Sequence, residues 1–84
     1  MIMMQGYIIV YSTNIQNSTD FIILSNTLAS FSPILEWTID LTDSDKVLRI
    51  ETSRDITTFL IAELEKLGIR CNVMGTFVNK LQNC

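Results

Sequence analysis

The chain has 84 residues, 48% of them hydrophobic, with six basic and nine acidic side chains and a net charge of -3. Such a chain makes one domain with a single core, and its hydrophobicity and low charge exclude disorder. The basic residues Lys46, Arg49, Arg54, Lys66, Arg70 and Lys80 are scattered singly, which argues against a nucleic-acid partner, and the lack of any His removes the commonest general base and metal ligand.

The N-terminal Met-Ile-Met-Met-Gln-Gly carries no positive charge, and the apolar run Tyr7–Tyr11 is too short for a leader or a membrane span. The expected location is cytoplasmic, with no membrane partner. Gln5 to Ser12 is rich in β-branched and aromatic residues and apolar on both faces, which predicts a first strand in the interior of its sheet. Thr13 to Thr19 is polar and uncharged and reads as a loop, with Ser18 or Thr19 as a helix cap and Asp20 in the first turn. From Asp20 to Phe31, the residues Phe21, Leu24, Leu28 and Phe31 share one face of a 3.6-residue period. Ile23, Asn26, Thr27 and Ser30 fall on the opposite face, and Ser32-Pro33 stops the helix.

Leu35, Trp37, Ile39 and Leu41 then alternate with Glu36, Thr38 and Asp40, the period of a strand with one buried face. Thr42-Asp43-Ser44-Asp45 is turn chemistry, and Lys46 to Thr52 alternates again, so the two strands form a hairpin. Ser53 or Asp55 begins a second helix, with Ile56, Leu60, Leu64 and Leu67 on one face and a Glu63–Lys66 pair on its surface. Gly68 suits a left-handed terminator. Ile69, Cys71 and Val73 alternate with Arg70, Asn72 and Met74 as a last strand, which Gly75 is expected to break. The core thus spans about residues 6–75, and 76–84 is a short tail that reads as an added strand or a helical turn.

The order β-α-β-β-α-β predicts an α+β, ferredoxin-like sandwich: a four-stranded antiparallel sheet with both helices on one face. Over about residues 6–75 the chain resembles the heavy-metal-associated (HMA) domain of copper chaperones and metal-transporting ATPases. Phe21, Leu24 and Leu28 match the apolar spacing of that family's first helix. Trp37-Thr-Ile-Asp-Leu41 followed by Asp45-Lys-Val-Leu-Arg-Ile50 is similar to its central hairpin, and Leu64-Glu-Lys-Leu-Gly68-Ile69 to the end of its second helix.

The resemblance implies a Met-x-Cys-x-x-Cys loop between first strand and first helix, where two thiolates hold a soft ion. Here Ile15 stands at the methionine position, and Asn17 and Asp20 stand at the two cysteine positions. An amide oxygen and one carboxylate make a poor soft-metal site. No metal and no cofactor is therefore expected, and the bland role of Asn17 and Asp20 is helix capping. Cys71 reads as a buried strand cysteine, against a redox or metal thiol, and Cys84 as a tail thiol. Met1, Met3 and Met4 read as alternative starts, with Met3 or Met4 the true one, against thioether contacts to copper. With no Ser/His or Cys/His pairing and no phosphate loop, no catalytic role is expected.

The first 35 residues hold one charge, Asp20, and charge-poor surface suits protein contact. The expected contact face is therefore the loop and first helix: Asn14, Ile15, Asn17, Asp20 and Ile23, for a protein partner or self-association. The function so read is a metallochaperone-like domain without its metal ligands, serving as an interaction or regulatory module. Two alternatives stand beside it. One is a copper or zinc transfer protein with atypical ligands. The other is an ACT-like small-molecule-binding dimer, which shares the βαββαβ order.

Overall fold

The structure, a computed structural model, describes residues 4–81. The expectations placed on Met1, Met3 and Cys84 lie outside the described residues. The elements are β1 (Met4–Thr13), α1 (Ser18–Ala29), β2 (Ile34–Asp40), β3 (Val47–Thr52), α2 (Thr57–Lys66) and β4 (Cys71–Leu81). One sheet has the order β2-β3-β1-β4, and every neighbouring pair is antiparallel. This is the ferredoxin-like architecture expected from the element order.

β1 lies inside the sheet because it is apolar on both sides, as its run of Tyr, Ile and Val requires. Ile9 and Tyr11 face the helices and are fully buried with Leu48 and Ile50 of β3. Leu24 and Leu28 of α1, and Leu60 and Leu64 of α2, close the core from the other side. The opposite sheet face is open and pairs Ile8 with Glu51 and Val10 with Arg49.

Tyr11 carries a polar tip into this layer, and its hydroxyl lies 2.9 Å from Thr57 Oγ1 in the first turn of α2. Asp55 Oδ1 accepts from the Thr57 amide at 2.9 Å, so Asp55 serves the start of α2 from just outside it. Thr52 is buried at the end of β3, where its hydroxyl reaches the carbonyls of Pro33 and Arg54 at 3.1 and 2.8 Å.

Several sequence expectations are corrected. Thr27 is buried rather than outward, and Ile23 is half-buried against the core. The outward isoleucine of α1 is Ile22, 57% exposed. Leu35 is exposed because the β2–β3 register shifts between Ile34 and Glu36, which turns it out of the alternation.

Leu67 is exposed because the helix ends one residue earlier. Gly68 takes φ +87, its amide donates to Glu65 O, and the Ile69 amide donates to Leu64 O. That pair of bonds is a Schellman ending, and it buries Ile69 beside Leu64 in place of Leu67.

Gly75 does not break the last strand. It sits at a bulge where Val10 pairs with Gly75 and Tyr11 with Val73, leaving Met74 over, and β4 continues to Leu81. Residues 76–81 are thus sheet, paired with β1 back to Met4, which agrees with the added-strand reading of the tail and not with the helical turn.

Candidate functional site

The β1–α1 loop, Asn14 to Asn17, lies at the end of the sheet where β1 runs out. It is held on two sides. The Thr13 amide donates to Asp45 O at 2.9 Å, and the Thr13 hydroxyl donates to Lys46 O at 2.7 Å, which fastens the β2–β3 turn to the end of β1. Asn14 exchanges two bonds with Arg70, its amide donating to Arg70 O at 3.2 Å and its Oδ1 accepting from the Arg70 amide at 2.8 Å. Between these anchors Ile15 turns inward and is 2% exposed, as part of the core.

Asn17 caps α1: its Oδ1 accepts from the Asp20 amide at 2.8 Å. Asp20 reaches one residue further back, its Oδ2 accepting from the Gln16 amide at 3.0 Å. The pair is a capping-box variant shifted by one residue, because the N3 carboxylate takes the N–H of Gln16, just before the cap, and not that of Asn17 itself. The cap is thus Asn17 itself, in line with the capping role read for Asn17 and Asp20, and not Ser18 or Thr19.

Beside this cap opens a hollow of about 480 Å³, bounded by Ile15, Asn17, Ser18 and Phe21 on one side and by Leu41 and Lys46 on the other. Its volume falls inside the range of roughly 300–1,000 Å³ usual for ligand pockets. Phe21 is backed by Trp37, with ring centroids 6.1 Å apart and planes tilted by 52°. Lys46 holds φ +46, the one described non-glycine residue with positive φ. Its amide donates to Asp43 O at 3.0 Å, and its carbonyl is the acceptor for Thr13. A left-handed lysine is costly and persists only where its surroundings fix it.

The acidic residues of the turn are occupied locally. Asp40 Oδ1 accepts from the Thr42 hydroxyl at 2.6 Å and the Thr42 amide at 3.0 Å, and these bonds hold its carboxyl below the usual carboxylate range. Asp43 Oδ1 accepts from the Asp45 amide at 2.7 Å. Among the described residues no three His, Cys, Asp or Glu side chains gather as a metal-holding group. The donors at the tip do not suit a soft ion: Ile15 has none to offer, and Asn17 and Asp20 are engaged by the helix end.

Of the five predicted contact residues, Asn14 and Asn17 are exposed, Asp20 is half-exposed, and all three border the tip. Ile15 contributes only the floor of the hollow, and Ile23 packs inward. Sequence reasoning missed Phe21, Leu41 and Lys46. The hydrophobicity of Phe21 and Leu41 reads equally as core, and the left-handed lysine has no sequence signal.

Cys71 is buried as expected and lies on a smaller hollow of about 160 Å³ with Glu65, Arg70 and Ile61. Burial, with some help from the Glu65 charge, pushes its thiol up to about 11, so it stays protonated at neutral pH. No described helix is long and apolar enough to cross a membrane.

No protein-family model matches the chain, and no curated protein matches its sequence. Solved structures do match. The copper(I)-loaded first domain of the human copper chaperone for SOD1 gives a TM-score of 0.69 at 12% identity, covering 86% of this chain and 97% of that one. The apo HMA domain of a copper chaperone for superoxide dismutase gives 0.70 at 15% identity, covering 94% of this chain and 78% of that one. At these identities the likeness is one of fold, and the fold is HMA-like.

Proposed function

We propose that this chain is a non-catalytic, metallochaperone-like domain whose β1–α1 tip has exchanged metal capture for contact with a protein partner. The observation that carries this reading is the use made of Asn17 and Asp20. Both positions that the HMA resemblance assigns to thiolates are engaged in hydrogen bonds that close the N-terminus of α1. What remains open at the tip is a largely apolar hollow between Phe21 and Leu41, with Lys46 at its rim.

Such a hollow takes an apolar side chain, and the polar groups around it fix the side chain's approach. The uncharged loop ahead of α1 suits an interface core, where charges are depleted. Asn14, Asn17 and Asp20 then act as rim residues, with Ile22 of α1 as the neighbouring exposed apolar group.

The test is a photo-crosslinking residue placed at Gln16, beside the hollow, and in a second chain at Thr38 on the open sheet face, both introduced in cells that express the protein. The proposal expects one adduct of defined mass from Gln16 alone, removed by Leu41→Asp. Equal labelling from both positions, or none from Gln16, overturns it.

A further inference from the structure

The two edges of the sheet are guarded differently. β2 carries Glu36 and Asp40 and leads into Asp43 and Asp45, which is how natural sheets keep an edge from pairing. β4 has no charged residue from Cys71 to Asn79. Val73, Met74, Phe77 and Val78 are all 43 to 57% exposed there, four of the nine large apolar side chains exposed among the described residues. The bulge at Met74 interrupts the first part of the strand, whereas Gly75 to Leu81 pairs with β1 in unbroken register. Phe77 is laid flat along this stretch: a Cβ on Gly75 would lie 3.3 Å from its ring. The outer edge of Gly75–Leu81 is thus regular, free of acidic residues and unpaired within the described residues, with Phe77 and Val78 exposed along it.

We infer that β4 is the interface of a two-fold homodimer, in which Gly75–Leu81 pairs antiparallel with the same segment of a second copy to give one eight-stranded sheet. The charge pattern of the segment fits a second copy as the occupant. With the two-fold axis at Val78, the single cation of the segment, Lys80, takes the register position opposite Thr76, and no like charges oppose one another. The acidic β2 edges become the outermost strands, seven strand spacings or roughly 33 Å apart. That is several times the ~8 Å screening length of physiological salt, so the net charge of -3 on each copy opposes association only weakly. An isologous contact also closes on itself, which an edge paired at random does not.

Pairing through one strand edge belongs to the small end of interface sizes, below about 1,200 Å², so the dimer is concentration dependent. Val78 pairs with Tyr7 of β1, six residues or about 20 Å along the strand from Thr13 at the tip. The hollow therefore stays open in both copies, and the dimer stands or falls independently of the tip reading.

Sedimentation velocity between roughly 1 µM and 1 mM covers the range expected for such a contact. The wild-type chain should pass from monomer to dimer. Val78→Lys and Val78→Glu, each placing like charges across the axis, should both stay monomeric, and an equimolar mixture of the two should dimerise. A wild-type chain that remains monomeric, variants that dimerise undiminished, or a mixture that does not recover overturns the inference, as do open-ended polymers. Amide hydrogen exchange of the wild-type chain gives a readout independent of how the variants fold. Dilution should remove protection at Gly75–Leu81 and leave α1 unchanged; loss centred on α1 contradicts the β4 interface.

Discussion

Asn17 and Asp20 together close the first turn of α1: the Asn17 side chain accepts from the backbone N–H of Asp20, and the Asp20 carboxylate accepts from the N–H of Gln16, one residue before the cap. The tip of the domain is thereby organised by helix-end chemistry. Replacing either residue by Ala should cost about 0.5–2 kcal/mol of stability, whereas Asn17→Gly should cost only a few tenths. Urea denaturation of the single and double variants checks this, and the double variant should cost less than the sum because the two bonds share one turn.

Gly68 is the second backbone position that admits little choice. A Cβ there meets nothing within 4 Å, so space does not forbid a side chain, but φ +87 does. Gly68→Ala should therefore destabilise by about 1–2 kcal/mol through backbone strain alone. Denaturant unfolding measures it, and a neutral result would mean that the Schellman ending relaxes at no cost.

Alkaline pH should unfold the protein through two buried groups. Burial raises the Tyr11 hydroxyl above its ordinary value, partly offset by its bond to Thr57, and burial raises the Cys71 thiol to about 11. Both groups bind their protons more tightly in the folded chain than in the unfolded one. Their contribution is therefore complete below the unfolded values and is lost as pH climbs through the folded values. For Cys71 the decline should run from about pH 8.5, the thiol's ordinary value, to about 11. Stability measured across that window should fall less steeply in Cys71→Ala than in the wild type. In a Cys84→Ser background the remaining thiol should react with a disulfide reagent at neutral pH only as fast as the chain opens.

Tyr11→Phe keeps the ring and removes the hydroxyl that bridges β1 to α2. It should cost about 1 kcal/mol. Thermal unfolding gives the value, and a double-mutant cycle with Thr57→Ala shows whether the loss belongs to that one bond.

The parts of this fold written in simple periods were readable from the sequence. The interior position of β1 followed from apolar residues on both faces, the hairpin from strict alternation around an Asp-rich turn, and the end of α2 from a single glycine. Phase errors came where backbone irregularity overrides periodicity. A register shift turned Leu35 outward, the helix stop moved Leu67 out and Ile69 in, and the packing of α1 drew Ile23 and Thr27 inward while leaving Ile22 exposed. Gly75 reads as a breaker in a linear sequence, whereas in a sheet it accommodates a bulge beneath an aromatic ring. At the tip, the absence of sulfur was legible at once. The hollow was not, because Leu41 and Lys46 reach it only through the Thr13 bonds to Asp45 and Lys46, which join segments about 30 residues apart.

The most direct test is an anaerobic competition for copper(I) between the wild-type chain and a chromophoric chelator, with Ile15→Met/Asn17→Cys/Asp20→Cys as the comparison. The wild-type chain should leave the chelator's copper untouched. The triple variant should withdraw one equivalent, since it supplies thiolates at the tip of an HMA-like fold. A wild-type chain that takes up one tightly held copper(I), with NMR shifts centred on Ile15–Asp20, would contradict the account at its root.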